Sequence, residues 1–235
     1  MKISRFWIGV SGFVLLFALM SLPTPVMAEE NPLLKPWSGP HGGVPPFDKV
    51  KPELFGPALQ QSIDSYREDI KRIAESPEPP TFDNTIAALE HAGHDFEKVS
   101  TLFHVFASTM NGPEIKELER EWSPKFSAIY DETIQNTKLF KRIDAIYQAR
   151  KSAHLTKEQE RLLWLTHNRF VKSGAELGVL EKKRLAELNS KLATLYTEFG
   201  QNLLADEENQ KVVFESKDDL DGLSDSLIEA AAAEA

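Results

Sequence analysis

The side chains in this sequence that are best suited to chemistry are its histidines, because the chain contains no cysteine. Without thiols, cysteine nucleophiles, disulfide scaffolds and thiolate zinc sites are excluded, and a metal site would need imidazole and carboxylate ligands. No histidine is followed by glutamate, so the H-E-x-x-H zinc motif is absent, and no serine lies in a G-x-S-x-G motif. The six histidines are His41, His91, His94, His104, His154 and His167.

His91 and His94 are the one pair of histidines with a spacing that suits metal binding. They are three residues apart on a predicted helix, so both imidazoles could reach one ion. Their neighbours are polar, and the apolar stripe of that helix lies on another side. The favoured interpretation is a solvated helix face, and a metal site is the alternative.

The remaining candidates also have simple structural interpretations. His104 follows Phe103 in an aromatic stretch, which favours a hydrogen-bonded, partly buried histidine over a catalytic base. His41 precedes Gly42-Gly43 in a predicted arm, where no helix N-terminus follows to bind phosphate. We therefore assign no catalytic and no metal-ligating residue to this chain, and its substrate-binding residues are unknown. Paired carboxylates can serve as a general acid and base, but with 36 Asp and Glu residues such pairs are expected by chance on charged helix surfaces. The pairs are Glu119 with Glu121 and Glu207 with Glu208.

Composition narrows the class of protein. The chain has 235 residues, of which 41% are hydrophobic and 27% charged, the profile of a folded globular protein. Its formal net charge is −9, so it lacks the excess of positive charge that binds a phosphate backbone. Nucleic acid is therefore not an expected partner.

Residues 1–28 have the pattern of an export signal. Lys2 and Arg5 precede an apolar run over 6–22, and Val26 and Ala28 place small side chains at the −3 and −1 positions of a cleavage site. Glu29 follows, rather than the cysteine of a lipoprotein. We predict a periplasmic or secreted protein with no stable membrane association after cleavage, and an uncleaved membrane anchor is the alternative.

The rest of the chain divides into an arm and a helical region. Proline and glycine are dense in residues 29–57, which predicts an extended arm. The apolar side chains expected to hold it down are Leu33, Leu34, Trp37, Phe47 and Phe55. From Ala58 to residue 235, apolar residues recur at helical spacing. One long helix is predicted from Thr81 to the stop at 111–113, and Thr156 begins another with a capping box. Short connections favour antiparallel neighbours.

The longest regular apolar stripe lies near the end of the chain, with spacings of 3, 4, 3, 4 and 4 residues. Its members are Leu185, Leu188, Leu192, Leu195, Phe199 and Leu203. A coiled coil has the same spacing, but a helix flanked by other amphipathic helices favours a bundle.

The last segment predicts one short strand over 212–214, followed by a helix that begins at Ser224. An unpaired strand leaves backbone groups without partners, and the alanine-rich end has no capping glycine, so we expect more protein downstream. The predicted fold is all-α, an antiparallel helical bundle over 58–235 with an extended arm and one strand.

Six sequence blocks are distinctive as a set: 31–34 (NPLL), 45–48 (PPFD), 80–90 (PTFDNTIAALE), 155–163 (LTKEQERLL), 199–204 (FGQNLL) and 223–225 (LSD). Together they resemble the thimet oligopeptidase family of zinc metallopeptidases, in particular the N-terminal region of its bacterial peptidyl-dipeptidase and oligopeptidase A branches. The resemblance covers residues 31–235.

The resemblance implies the N-terminal lobe of a two-lobed, zincin-type helical peptidase that encloses a channel for short peptides. In the family, one zinc ion is held by an H-E-x-x-H helix and a downstream glutamate, and neither has a counterpart in this chain. The resemblance therefore implies a zinc peptidase, monomeric when complete, whose zinc is bound outside this chain, and residues 1–28 predict that it is exported. On that interpretation the isolated, truncated chain is inactive. The alternative is a non-catalytic helical module that binds peptides or a partner.

Overall fold

The computed structural model describes residues 31–40, 43–209, 214 and 216–234, and within them the regular structure is helical. The α-helices are α1 Pro52–Ala74, α2 Ala88–His91, α3 His94–Thr109, α4 Pro113–Ile134, α5 Thr137–Ala149, α6 Lys157–Lys172, α7 Val179–Asn209 and α8 Asp225–Glu234. A π-helical turn spans Phe82–Ala87, and 3-10 turns span Phe47–Lys49, Arg150–Ser152 and Lys217–Leu220. The predicted all-α fold class is confirmed.

Helix α1 begins at Pro52 rather than at Ala58, so it occupies the last part of the segment predicted to be extended. Proline is well tolerated at the first helical position, where its missing N–H would have no partner within the helix. Pro57 removes one helical hydrogen bond. Phe55 is fully buried, and this burial offsets the cost of starting the helix among prolines.

The arm before α1 is attached through the first of the sequence blocks. Leu33 is 1% exposed and packs in the core, as predicted. Asn31 fixes the turn around it, since its Nδ2 donates to the Leu54 carbonyl at 2.9 Å and its Oδ1 accepts from Leu33 N–H at 3.0 Å. Outside this anchor the arm is open to solvent at Phe47, which is 53% exposed.

The prediction of one long helix from Thr81 to Met110 is wrong, because the helix is interrupted between α2 and α3. Gly93 has φ +74°, a left-handed conformation that interrupts the helix. A Cβ at Gly93 would lie 2.5 Å from Cδ2 of Tyr66. Two properties of this position therefore require glycine: its left-handed backbone conformation and its close approach to the Tyr66 ring of α1.

Two groups of buried side chains form the core, and α1 contributes to both. The first joins α1, α3 and α4 around Phe55, Phe103 and Trp122. The second joins the end of α1, the π-helical turn, α5 and α6 around Ile86, Leu139 and Phe170. Helix α7 packs along α4.

Several predicted features fall outside the described residues. The signal at 1–28 does so entirely, and the strand predicted over 212–214 has only Phe214 described, which is not in a strand. The last helix is present as α8, directly after Ser224. In the described part of the chain, no helix is both long and apolar enough to span a membrane.

Candidate functional site

The two histidines with metal-binding spacing do not share a helix. His91 is the last residue of α2 and His94 the first of α3, on either side of Gly93. Gly93 N–H donates to Oδ2 of Asp69 at 3.2 Å, which fixes this corner against α1. Within the described ranges, no three His, Asp or Glu side chains are grouped so that they could hold a metal ion.

His104 is hydrogen-bonded as predicted, but it is exposed rather than partly buried. Its Nδ1 lies 2.6 Å from the carbonyl oxygen of Ser100, and its ring centroid lies 5.3 Å from that of Phe126. The ring is exposed because α3 buries Phe103 and Phe106 on the adjacent side. His41 lies outside the described residues.

His167 joins α6 to α5 and had no role in the sequence analysis. Its Nε2 lies 3.0 Å from Oδ1 of Asp144, and its ring stacks on Tyr147 with centroids 3.9 Å apart. The guanidinium of Arg150 covers the same tyrosine at 4.0 Å. This arrangement packs two helices together, and it contains no nucleophile or second carboxylate that would complete a catalytic set.

The 80–90 block forms a capped turn. Thr81 Oγ1 accepts from the backbone N–H of Asn84 at 3.1 Å, and Asn84 Oδ1 accepts from the backbone N–H of Thr81 at 2.8 Å. This reciprocal pair satisfies two donors at the start of the π-helical turn. Thr85 and Ile86 follow and are fully buried.

Arg142 of α5 holds that block from the side and is only 7% exposed. Its Nη2 donates to Asn84 Oδ1 at 3.0 Å and its Nε to Thr85 Oγ1 at 3.3 Å. Its Nη1 donates to the carbonyls of Ser76 and Glu78 at 3.2 and 2.9 Å. All four acceptors are neutral, so Arg142 is a buried cation satisfied by the turn that it organises.

The contact between α4 and α7 is made by small and polar residues and was missed by the sequence analysis. Hydrogen bonds that cross it include Asn189 Nδ2 to Asp131 Oδ1 at 2.7 Å, Ser123 Oγ to the Ala193 carbonyl at 3.1 Å, and Gln201 Nε2 to Glu119 Oε2 at 2.8 Å. Glu119 therefore binds α7 instead of lying on an ordinary charged surface. The small and polar residues of α7 on one side of the apolar stripe were the available signal.

Asp131 is the one carboxylate among the described residues with 6% exposure or less. Burial raises the pKa of its carboxyl above the ordinary aspartate value, and the hydrogen bond from Asn189 partly offsets that rise. The cleft beside it, of about 290 Å³, is lined by Ala128, Gln135 and Ala186 among others. Glu132 also lines this cleft, but its carboxylate is paired with Arg67 at 2.8 Å. The two carboxylates and their neutral neighbours do not complete a catalytic site.

A groove of about 720 Å³ runs between the arm and the start of α3. It is lined by Trp37, whose indole N–H is buried without a hydrogen-bond partner, and by Lys98, whose ammonium lies 5.9 Å from the Trp37 ring centroid. Lys98 also donates to Asp95 Oδ1 at 2.9 Å. An aromatic face beside a lysine can bind a peptide side chain or terminus. His94, Asp95 and Glu97 also line the groove.

The apolar stripe of α7 is mostly uncovered. We define the α7 stripe as Leu188, Leu192, Leu195, Phe199 and Leu203, which are 42–67% exposed. Leu185, by contrast, is half-buried, near Gly174. Helix α7 is a bundle member as predicted, but it packs on α4 with small and polar residues and leaves its large apolar side chains uncovered.

The chain is similar in sequence to known peptidases. No protein-family model matches the chain. It is 34% identical to dipeptidyl carboxypeptidase of Escherichia coli over 210 residues, 88% of this chain and 30% of that protein. The corresponding enzyme of Salmonella typhimurium is 34% identical over 86% of the chain, and oligopeptidase A of E. coli is 24% identical over 87%.

The chain thus spans about 30% of the length of the curated relatives that it matches. The aligned part of each relative covers most of this chain. The resemblance found in the sequence is confirmed: dipeptidyl carboxypeptidase and oligopeptidase A, of the thimet oligopeptidase family, are homologues of this chain.

Proposed function

We propose that this chain is the N-terminal part of an exported, zinc-dependent metallopeptidase that hydrolyses short peptides, as a peptidyl-dipeptidase or an oligopeptidase. The observation that carries the proposal is the 34% identity to dipeptidyl carboxypeptidase across 88% of the chain. The 24% identity to oligopeptidase A supports the same class of activity with a different cleavage position.

The described residues do not fit a zinc site, because no suitable group of ligands is present among them. In our proposal the zinc and the residues that activate water come from outside this chain. The helices described here supply a wall of the substrate channel, which is the role that the family resemblance implies. The chain alone is then expected to hydrolyse no peptide.

A chimaera tests this proposal directly. The aligned 210 residues of E. coli dipeptidyl carboxypeptidase are replaced by the matching residues of this chain, and hydrolysis of a short blocked peptide is followed with and without a chelator. We expect chelator-sensitive hydrolysis by the chimaera and none by the chain alone. Hydrolysis by the isolated chain, or a folded chimaera without activity, would contradict the proposal.

The export part of the proposal has a separate test. Residues 1–28 predict cleavage after Ala28. When the chain is produced in a bacterium with two membranes, N-terminal sequencing of the periplasmic fraction should begin at Glu29. Recovery of the uncleaved chain with the membrane would instead support an anchor.

A second candidate function is a non-catalytic peptide-binding module, and the groove at Trp37 favours it. Its aromatic ring, with the Lys98 ammonium 5.9 Å from the ring centroid, can contact a peptide side chain or terminus. Titration of the isolated chain with short peptides, followed by Trp fluorescence, tests this function. Binding that Trp37→Phe abolishes, in a chain whose chimaera has no peptidase activity, would favour the module over the enzyme.

A further inference from the structure

We infer that the α7 stripe is the surface on which the remainder of the peptidase packs. The inference rests on the proposed function. The partner that would cover the stripe is the part of the peptidase that corresponds to the unaligned portion of the relatives. It begins from an inversion: α7 touches α4 with small and polar residues, while its large apolar side chains face solvent.

Three sectors divide the surface of α7. With 100° per residue, the α4-facing sector, which includes Ala186, Asn189 and Ala193, is centred about 120° from the α7 stripe. A third, charged sector holds Glu187, Lys191 and Glu198, which are exposed. A helix that is apolar on one side and polar-packed on another fits between two layers of protein.

The α7 stripe is larger than a chance apolar exposure. It extends over four turns, about 23 Å along the helix axis. Tyr196 adjoins it and is 72% exposed, and Phe199 is 67% exposed. Together these side chains present several hundred Å² of contiguous apolar surface, which in a globular protein marks an interaction site.

The flanking residues argue against a parallel pairing of two copies of this helix. If the stripe were a coiled-coil seam, the positions beside it would pair Arg184 with Asn189, and Lys191 with Tyr196. Neither pair joins opposite charges, although such pairs are the usual means of selecting a partner helix. The bulky Tyr196 and Phe199 suit a partner surface with pockets rather than a regular seam.

The relatives indicate what such a partner is. They align with most of this chain at 34% and 24% identity, yet the aligned part accounts for only about 30% of each relative. The larger part of a protein of that length must contact this lobe over an extended surface if the two enclose a channel. Among the described helices, α7 offers the longest uninterrupted apolar run for that contact.

Thiol labelling tests the inference, because the chain has no cysteine of its own. Leu195→Cys places a thiol in the α7 stripe, and Glu198→Cys places its matched control in the charged sector of the same helix. Labelling by a maleimide is followed by mass spectrometry of the α7 peptide. It is measured in the isolated chain and in the chimaera with dipeptidyl carboxypeptidase described above.

In the isolated chain we expect the two thiols to react at similar rates. In the chimaera, Leu195→Cys should react at least about tenfold more slowly, while Glu198→Cys keeps its rate, since only buried positions require an opening step. Equal labelling in a folded chimaera overturns the inference. If the chimaera does not fold, co-production of the two parts gives the same measurement, and labelling without protection there also overturns it.

The outcomes separate this inference from the proposed function. Protection of Leu195→Cys in a chimaera that hydrolyses no peptide supports the packing surface and contradicts the enzyme. Hydrolysis with Leu195→Cys still reactive contradicts the packing surface alone. If the isolated chain sediments as a dimer in which Leu195→Cys is already protected, or if short peptides protect it, the occupant is a second copy or a peptide, and the inference fails.

Discussion

Two stripes with the same helical spacing have opposite surroundings in this molecule. On α3, Phe103 and Phe106 are 1% and 7% exposed, and their rings lie 5.2 and 5.5 Å from that of Phe55 on α1. On α7, Leu195 and Phe199 are 48% and 67% exposed. Spacing therefore identifies the apolar side of a helix, but a neighbour must be present to cover it.

Helix α4 explains why the two stripes differ. Its apolar side, with Trp122 and Ile129, faces the core that α1 and α3 share. Its other side carries Glu119, Ser123 and Asp131, which satisfy their hydrogen bonds by contact with α7. Because a buried polar group without a partner costs about 1–3 kcal/mol, α7 contacts this side of α4 with its small and polar residues.

The comparison is tested most strongly by a matched pair of phenylalanines. Phe103→Ala leaves a cavity among buried rings and should lower the free energy of unfolding by about 3–5 kcal/mol. Phe199→Ala in the isolated chain should change it by less than about 0.5 kcal/mol, since the side chain is mostly in solvent. Urea denaturation followed by circular dichroism measures both. A large loss for Phe199→Ala would show that the α7 stripe is already covered.

Arg142 tests whether the buried region also depends on polar groups. Arg142→Met should lower stability by about 3 kcal/mol, because it removes a charged donor from four acceptors around the 80–90 block. Arg142→Lys should recover part of the loss. The control is Arg184→Met on α7, whose exposed pair with Glu187 contributes little. Equal melting curves for Arg142→Met and the wild-type chain would refute this assignment.

Two glycines sharpen the same contrast. Gly93→Ala should cost about 2 kcal/mol, since it adds a Cβ at positive φ against the Tyr66 ring. Gly200→Ala, within α7 and with no atom within 4 Å of its added Cβ, should stabilise by about 0.5–1 kcal/mol. Thermal melts of both variants provide the measurement. A stabilising Gly93→Ala would contradict the strained corner between α2 and α3.

Asp131 gives the smallest expected effect, and a dependence on pH. Because burial raises its folded-state pKa, its contribution is most favourable below the unfolded value of 3.8 and is lost as the pH rises through the folded value. Relative to Asp131→Asn, the wild-type chain should lose stability over that interval and then level off. Denaturation of both chains at several pH values from 3 to 7 measures the difference in their free energies of unfolding. A difference that does not change with pH would contradict a raised pKa of Asp131 caused by burial.

Local signals in the sequence predicted much of the helical pattern. The capping box of Thr156 and Gln159 starts α6 as expected, and Pro113 begins α4 after a glycine stop. The break at Gly93 was missed, because one glycine inside an apolar periodicity gives no indication of its φ. The earlier start of α1 was missed because proline density outweighed Phe55, whose burial only the packed structure reveals.

The candidate sites depended more on packing than on pattern. The sequence identified His91 with His94 as the best metal spacing, but the corner at Gly93 places them on separate helices. It gave no sign that Arg142 binds the 80–90 block, because the two are more than 50 residues apart in sequence. Long-range hydrogen bonds of this kind have no local periodicity.

The sequence by itself determined the helical class, the caps, the absence of thiol chemistry and the homology to a family of peptidases, because these follow from residue type and local spacing. Only the tertiary structure decided which apolar faces are covered, since burial depends on the surface that a neighbouring helix presents. For α7 that neighbour is the polar side of α4, and the longest apolar stripe of the chain therefore faces outward.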